Sequence, residues 1–251
     1  MIGNHFNITN FIKIYKGAYD YFDDKRKYAE ETFEIFKDSQ NHLLTFKAEV
    51  SGRAPNGEFL IINVIYSITE RFSPIAVQVK KTMGKQTTTE EYLFDHTTNT
   101  MRYHFQSDKM LGEINLATKQ RMHISTPSIS TSLLFLKSKK FQNSAVNTYK
   151  TLISDNQWDL NYNLRLEDIA VERISATPID LSLKNQNMQA MIYRLSKFEY
   201  DDSSSKKSPK DKYHLDLYLS KHLTIPYKIE DPMGGKFFEI RYFNSLEKSE
   251  E

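Results

Sequence analysis

Along much of this chain, apolar and polar residues alternate with a period of two. Trp158, Leu160, Tyr162, Leu164 and Leu166 alternate with Asp159, Asn161, Asn163, Arg165 and Glu167. Successive strand side chains point to opposite faces, so this pattern predicts a strand with one dry face and one wet face; a helix would scatter the same residues around its axis. Tyr213, Leu215, Leu217 and Leu219 repeat the pattern, as do Met101, Tyr103 and Phe105. The run 59–68 is apolar on both faces and predicts a central strand. Further strands are expected over 11–22, 32–36, 43–50, 75–79, 92–94, 188–198, 225–229 and 237–243, with Pro226 suited to an edge or a strand start.

Turn chemistry supports this reading. Ala54-Pro55-Asn56-Gly57 carries the Asn-Gly pair of a tight hairpin, and 231–235 (Asp-Pro-Met-Gly-Gly) predicts a longer one. Polar turns are expected at 95–99 and 108–109. The best helical stripe is Leu133, Leu134, Leu136 and Lys137 within 128–140. Segment 201–211, rich in Ser and Lys, reads as a mobile loop, and 246–251 as a fraying tail. The expected architecture is mainly β: one domain over 1–251 built on a large curved antiparallel sheet, with at most one or two short helices. So many strands must curl or stack to bury their apolar faces, giving a half-open β-barrel or a two-sheet sandwich.

Composition narrows the chemistry. Tyr and Phe number 15 and 16 against one Trp, an excess that suits a pleated surface. The net charge of +2 supplies no field that would steer the chain to nucleic acid. With no cysteine, disulfides, thiolate metal sites and a Cys nucleophile are excluded. No stretch is apolar enough for a transmembrane segment, and the first residues lack a secretory pattern. The expected location is cytoplasmic if Met1 is the native start, or periplasmic if an export signal precedes it.

Enzyme signatures are missing: there is no nucleophile elbow, no His-Glu-x-x-His and no phosphate loop. Gly234-Gly235-Lys236 lies between strands and reads as a turn. Two Arg-x-His triplets stand out, Arg102-Tyr103-His104 and Arg121-Met122-His123. In a strand each triplet projects its Arg and His from one face, so neighbouring triplets would gather an anion site. The alternative places both on a solvated face, with Tyr103 and Met122 turned inward. No third ligand joins His104 and His123, so no metal is expected, and no cofactor. Trp158 would line a cavity or anchor the core. The acid pairs Asp23-Asp24, Glu30-Glu31 and Glu90-Glu91 read as solvated turns and strand ends, and Lys137, Lys139 and Lys140 as a solvated helix end.

The stretch from Tyr218 to Ile229 (Tyr-Leu-Ser-Lys-His-Leu-Thr-Ile-Pro-Tyr-Lys-Ile), followed by a Gly-containing turn and Phe237-Phe238-Glu239-Ile240, resembles the closing hairpin of an uncharacterised bacterial family of β-sheet proteins. That resemblance implies a fold similar to the open barrels of lipoprotein carriers. A curved sheet that stays open leaves a concave apolar face. The expected function is therefore non-catalytic binding of a lipid, acyl chain or other apolar small molecule, with Trp158, Tyr162, Tyr103, Arg102, His104, Arg121 and His123 as candidate contacts. Two alternatives stand beside it. One is a protein-binding or structural β domain with a filled core and no ligand; the other is an enzyme acting in the barrel mouth.

Overall fold

The structure, a computed structural model, describes residues 11–118, 122–156, 158, 164–183, 186–199, 208–220 and 224–246. Its first half is an antiparallel meander of eight strands: β1 (Ile12–Asp23), β2 (Arg26–Asp38), β3 (Leu43–Arg53), β4 (Phe59–Thr69), β5 (Pro74–Met83), β6 (Gln86–Asp95), β7 (Thr100–Ser107) and β8 (Leu111–Ala117). The short β9 (His123–Ser125) leads into one turn of α-helix, α1 (Ile129–Ser132), and a 3-10 turn over Leu134–Lys137. The second half comprises β10 (Asn147–Ile153), β11 (Arg165–Arg173), β12 (Ile179–Leu183), β13 (Gln186–Glu199), β14 (Ser208–Leu219), β15 (Pro226–Glu230) and β16 (Lys236–Ser245).

All sixteen strands belong to one sheet, in the order β8-β7-β6-β5-β4-β3-β2-β1-β16-β15-β14-β13-β11-β10-β9, with β12 branching from β13. It is a large curved sheet, antiparallel apart from the parallel β9–β10 pair, and it does not close into a barrel. Of the two expected architectures this is the half-open barrel. Pairing of β1 with β16 joins the halves in a register that sets Tyr21 opposite Phe238 and Phe22 opposite Phe237. Those rings meet edge-on at 4.7 Å and stacked at 4.6 Å, so the Tyr/Phe excess is spent partly on zipping the chain ends together. On β1, Gly17 lies beneath the Phe33 ring; a Cβ there would come within 2.5 Å of two ring atoms.

The turns form as their residues require. Gly57 adopts φ +84°, and Ala54 N–H donates to the Glu58 carbonyl across the hairpin at 2.9 Å. Gly235 adopts φ +69° in the β15–β16 turn. The β1–β2 turn has positive φ at both Asp24 and Lys25, the left-handed pair of a type I′ hairpin built without glycine. Pro226 opens β15, where its missing N–H costs nothing, and its carbonyl accepts the Tyr19 hydroxyl at 2.7 Å.

Several expectations need correction. The strand expected over 158–167 begins only at Arg165; residues 159–163 lie outside the described residues. Its alternation also lapses, because Leu166 is 47% exposed while Leu164 packs against the core and Asp168 to Val171 are buried on both faces. In place of a helix over 128–140 there are two short turns that bury Leu133, Leu134 and Phe135. Residues 208–211 belong to β14 rather than to a loop, and 201–207 lie outside the described residues, as does the tail beyond 246. Strands β8, β9, β10 and β12 were not anticipated.

Candidate functional site

The segment from β9 through the 3-10 turn enters the concavity of the sheet as a plug. It is fastened to the first half by buried polar contacts. Glu31 of β2 is fully buried, and its carboxylate accepts the Ser128 hydroxyl at 2.8 Å, Ile129 N–H at 2.8 Å and Ser130 N–H at 3.0 Å. The Tyr21 hydroxyl donates to the same carboxylate. Burial, together with the adjacent Glu31 charge, raises the Tyr21 pKa well above that of an ordinary phenol. Tyr66 of β4 holds the plug's other end: its oxygen accepts Ile124 N–H at 3.1 Å and its hydroxyl lies 3.1 Å from His123 Nδ1.

Against the second half the plug leaves a hollow of about 570 Å³. Ile169, Leu195, Leu215, Leu217, Ile229 and Phe238 line it from the sheet, and Ile129, Leu133 and Phe135 line it from the plug. Strand register brings these side chains together, since Leu195 pairs with Leu215, Leu217 with Ile229, and Ile229 with Phe238. Glu167, Asp231 and Lys236 also line the hollow. Arg165 Nε pairs with Glu167 at 3.0 Å, while Asp231 accepts N–H bonds from Met233 and Gly234 at 3.0 and 2.8 Å. A separate hollow of about 240 Å³ is lined by Val171, Tyr193, Leu219, Leu136 and the cations Lys137, Lys139 and Lys140.

The sequence-nominated residues are distributed elsewhere. Arg102 and His104 lie on the half-exposed face of β7, with His104 Nδ1 3.7 Å from Glu91. Tyr103 faces inward and His123 is 1% exposed in the interior, so the two triplets do not gather an anion site between their histidines. Placing both triplets on a solvated face fails for His123, although it describes β7 correctly. Arg121 and Tyr162 lie outside the described residues. Trp158 is half-buried in a loop, with the Lys81 ammonium 5.0 Å from its ring centroid. Among the described residues no group of three or more His, Asp or Glu is arranged to hold a metal ion.

Tyr103 bonds Glu90, and Trp158 is linked to the same region only through Lys81, whose charge acts on Glu90. This carboxylate is 5% exposed and accepts the Tyr103 hydroxyl at 2.9 Å as well as the Ser154 hydroxyl. Lys81 reaches the Asn156 carbonyl at 3.4 Å, and buried Asn156, at φ +45°, ties its amide to the Val79 carbonyl at 2.9 Å. Burial raises the Glu90 pKa above its ordinary 4.5, and the Ser154 and Tyr103 hydrogen bonds offset only part of that rise. Burial likewise lowers the Lys81 pKa.

The pH consequence has a definite sign. A folded-state pKa above 4.5 means that the folded protein holds the Glu90 proton more tightly than the unfolded chain does. This contribution to stability is fully present below about pH 4.5 and is lost as pH rises through the raised value. Glu90→Gln cannot titrate. The stability of the wild type relative to Glu90→Gln is therefore expected to fall as pH rises through that window. Urea denaturation of both proteins from about pH 4 to about pH 8 measures the difference; a constant difference would show that Glu90 does not titrate abnormally.

The acid pairs show what sequence reading missed. Glu31 and Glu90 are interior while Glu30 and Glu91 face outward, so members of a pair do take opposite faces, but the solvated reading fails for the inner ones. A signal was present in the phase: Glu31 shares its face with Ala29, Phe33 and Ile35. The lining leucines of β13 and β14 fell within expected strands, but nothing local marked them as facing empty space.

No protein-family model matches the chain, and no curated protein sequence matches it. The fold is similar to a beta-barrel-like protein of domain of unknown function DUF1849 from Brucella abortus, with a TM-score of 0.57 at 9% identity over 94% of this chain and 99% of that one. A DUF1089 family protein from Pseudomonas aeruginosa aligns with a TM-score of 0.49 at 9% identity over 81% of this chain and 90% of that one. The first likeness is one of fold and extends to a beta-barrel-like protein, not to lipoprotein carriers in particular.

Proposed function

We propose that the protein binds an amphipathic small molecule, its apolar chain occupying the hollow between the plug and the second half of the sheet. The supporting observation is the hollow itself, about 570 Å³ and walled mostly by leucine, isoleucine and phenylalanine. Small-molecule sites typically enclose about 300–1,000 Å³ with mostly apolar walls and a few polar groups. The hollow opens to solvent, so its apolar lining faces water, and an apolar occupant that covers it is favoured by removing that surface from water. The preferred contacts are therefore Leu195, Leu215 and Leu217, in place of Arg102 and His104, which face outward.

The reading is tested by mass spectrometry of an organic extract from the purified full-length protein, together with calorimetric titration of the delipidated protein with dodecanol. A co-purified lipid or saturable dodecanol uptake is expected. An empty extract with no uptake removes the proposal.

Protein association has one feature in its favour. Strand β8 is an edge of the sheet, and its Leu111 is 70% exposed, so its outer backbone groups offer a template for strand addition. The size and apolar lining of the hollow favour the small-molecule reading.

A further inference from the structure

We infer that Lys137, Lys139 and Lys140 form the headgroup pocket of that same ligand, which makes the ligand an anionic amphiphile carrying a carboxylate or phosphate. This inference rests on the apolar hollow being the chain site. The first support is strand geometry. From the apolar hollow to the lysine hollow the lining moves from Ile169 to Val171 on β11, from Leu195 to Tyr193 on β13, and from Leu217 to Leu219 on β14. Adjacent strands here are antiparallel, so an increase, a decrease and an increase in residue number are all displacements in one direction. Each is two residues on one face, about 6.6 Å along the sheet. On the plug, Leu133 and Phe135 give way to Leu136 and Lys137 in the same manner. The two hollows are thus successive compartments along one inner face.

Charge supplies the second support. Moving the opposite way on β11 leads from Ile169 to Glu167, and on β15 from Ile229 to Asp231; Lys236 stands beside them. That end carries two carboxylates and one ammonium. The lysine hollow is lined by three lysines and no carboxylate, with Ser220 and Thr224 as further polar neighbours. Lys137 Nζ lies 5.7 Å from the Phe72 ring centroid, and Lys139 Nζ donates to the Thr148 carbonyl at 2.6 Å and lies 4.8 Å from the Tyr149 ring centroid. With the Arg165 guanidinium paired to Glu167 at 3.0 Å, the charges at that end are balanced, whereas an anionic head is attracted at the lysine end. The charge distribution therefore orients the ligand as well as selecting its class.

The test compares dodecanoate, dodecanol and inorganic phosphate by calorimetric titration against the delipidated full-length wild type and Lys137→Gln/Lys140→Gln. Both substituted side chains are exposed, so folding is expected to survive, and circular dichroism checks this. Dodecanoate affinity is expected to fall about tenfold or more in the variant while dodecanol affinity stays unchanged, consistent with charge-assisted contacts. Wild-type dodecanoate binding is also expected to weaken with added salt. Equal dodecanoate affinity in the two proteins overturns the headgroup assignment and leaves the chain site standing. Phosphate binding that does not compete with dodecanoate overturns it too, by making the lysine hollow a separate anion site. Failure of both dodecanoate and dodecanol to bind the wild type removes the chain site and this inference together.

Discussion

Glu31→Ala is expected to destabilise the protein by about 3–5 kcal/mol. The carboxylate is fully buried and is the common acceptor for Tyr21, Ser128, Ile129 and Ser130. Removing it leaves donors on two separate segments without their acceptor in a place that water does not reach. Each buried donor so stranded costs about 1–3 kcal/mol, and the vacated side-chain volume adds a cavity term. For a chain of this size the melting temperature should drop by about 10 °C. Glu30→Ala is the matched control. Its neighbouring carboxylate faces outward and pairs with Lys27 at 2.8 Å and Arg241 at 3.4 Å across partly exposed surface. Such pairs are worth at most about 1 kcal/mol, so the control should lose little. Urea denaturation of the two variants decides the matter: equal losses would mean that Glu31 is not what fastens the plug to the sheet.

Leu195→Trp is expected to reduce dodecanol and dodecanoate uptake by at least about tenfold while changing stability by less than about 2 kcal/mol. Leu195 is only partly buried because one side of it borders the hollow rather than other side chains. An indole there extends into empty space, so the usual overpacking penalty is relieved and the ligand is displaced. Titration together with a urea melt separates the possibilities. Undiminished uptake would show that the ligand site lies elsewhere; lost uptake with a collapse in stability would show that the residue supports the fold and that the space beside it is not available.

Much of the fold was legible in the chain. Alternation placed β7 and β14, an aromatic run of strand length placed β16, continuous apolarity placed β4, and Asn56-Gly57 placed the β3–β4 hairpin, because each of these signals is local and acts within one pair of strands. The limits of that legibility were physical. At β11 the alternation lapsed: Leu166 is exposed, Glu167 lines the hollow, and Asp168 to Val171 are buried on both faces. Register there is set by pairing with β10 and β13, and the polar lining of a cavity tolerates a carboxylate that a filled core would reject. In place of the helix expected over 128–140 stand two short turns; the first two N–H groups of α1, which no helix satisfies internally, are bonded by Glu31 from 98 and 99 residues away in sequence, a contact that no local propensity encodes.

What the amino-acid sequence determined by itself was the class: a cysteine-free, Tyr/Phe-rich chain whose period of two commits it to an extensive antiparallel sheet. The tertiary structure alone decided that the sheet stays open, that a plug hangs from its first half, and that an apolar hollow and a lysine hollow succeed one another along its second. Alternation states which face of a strand is dry. Whether another side chain or a void covers that face depends on contacts between residues far apart in the chain, and those exist only once the sheet has curled.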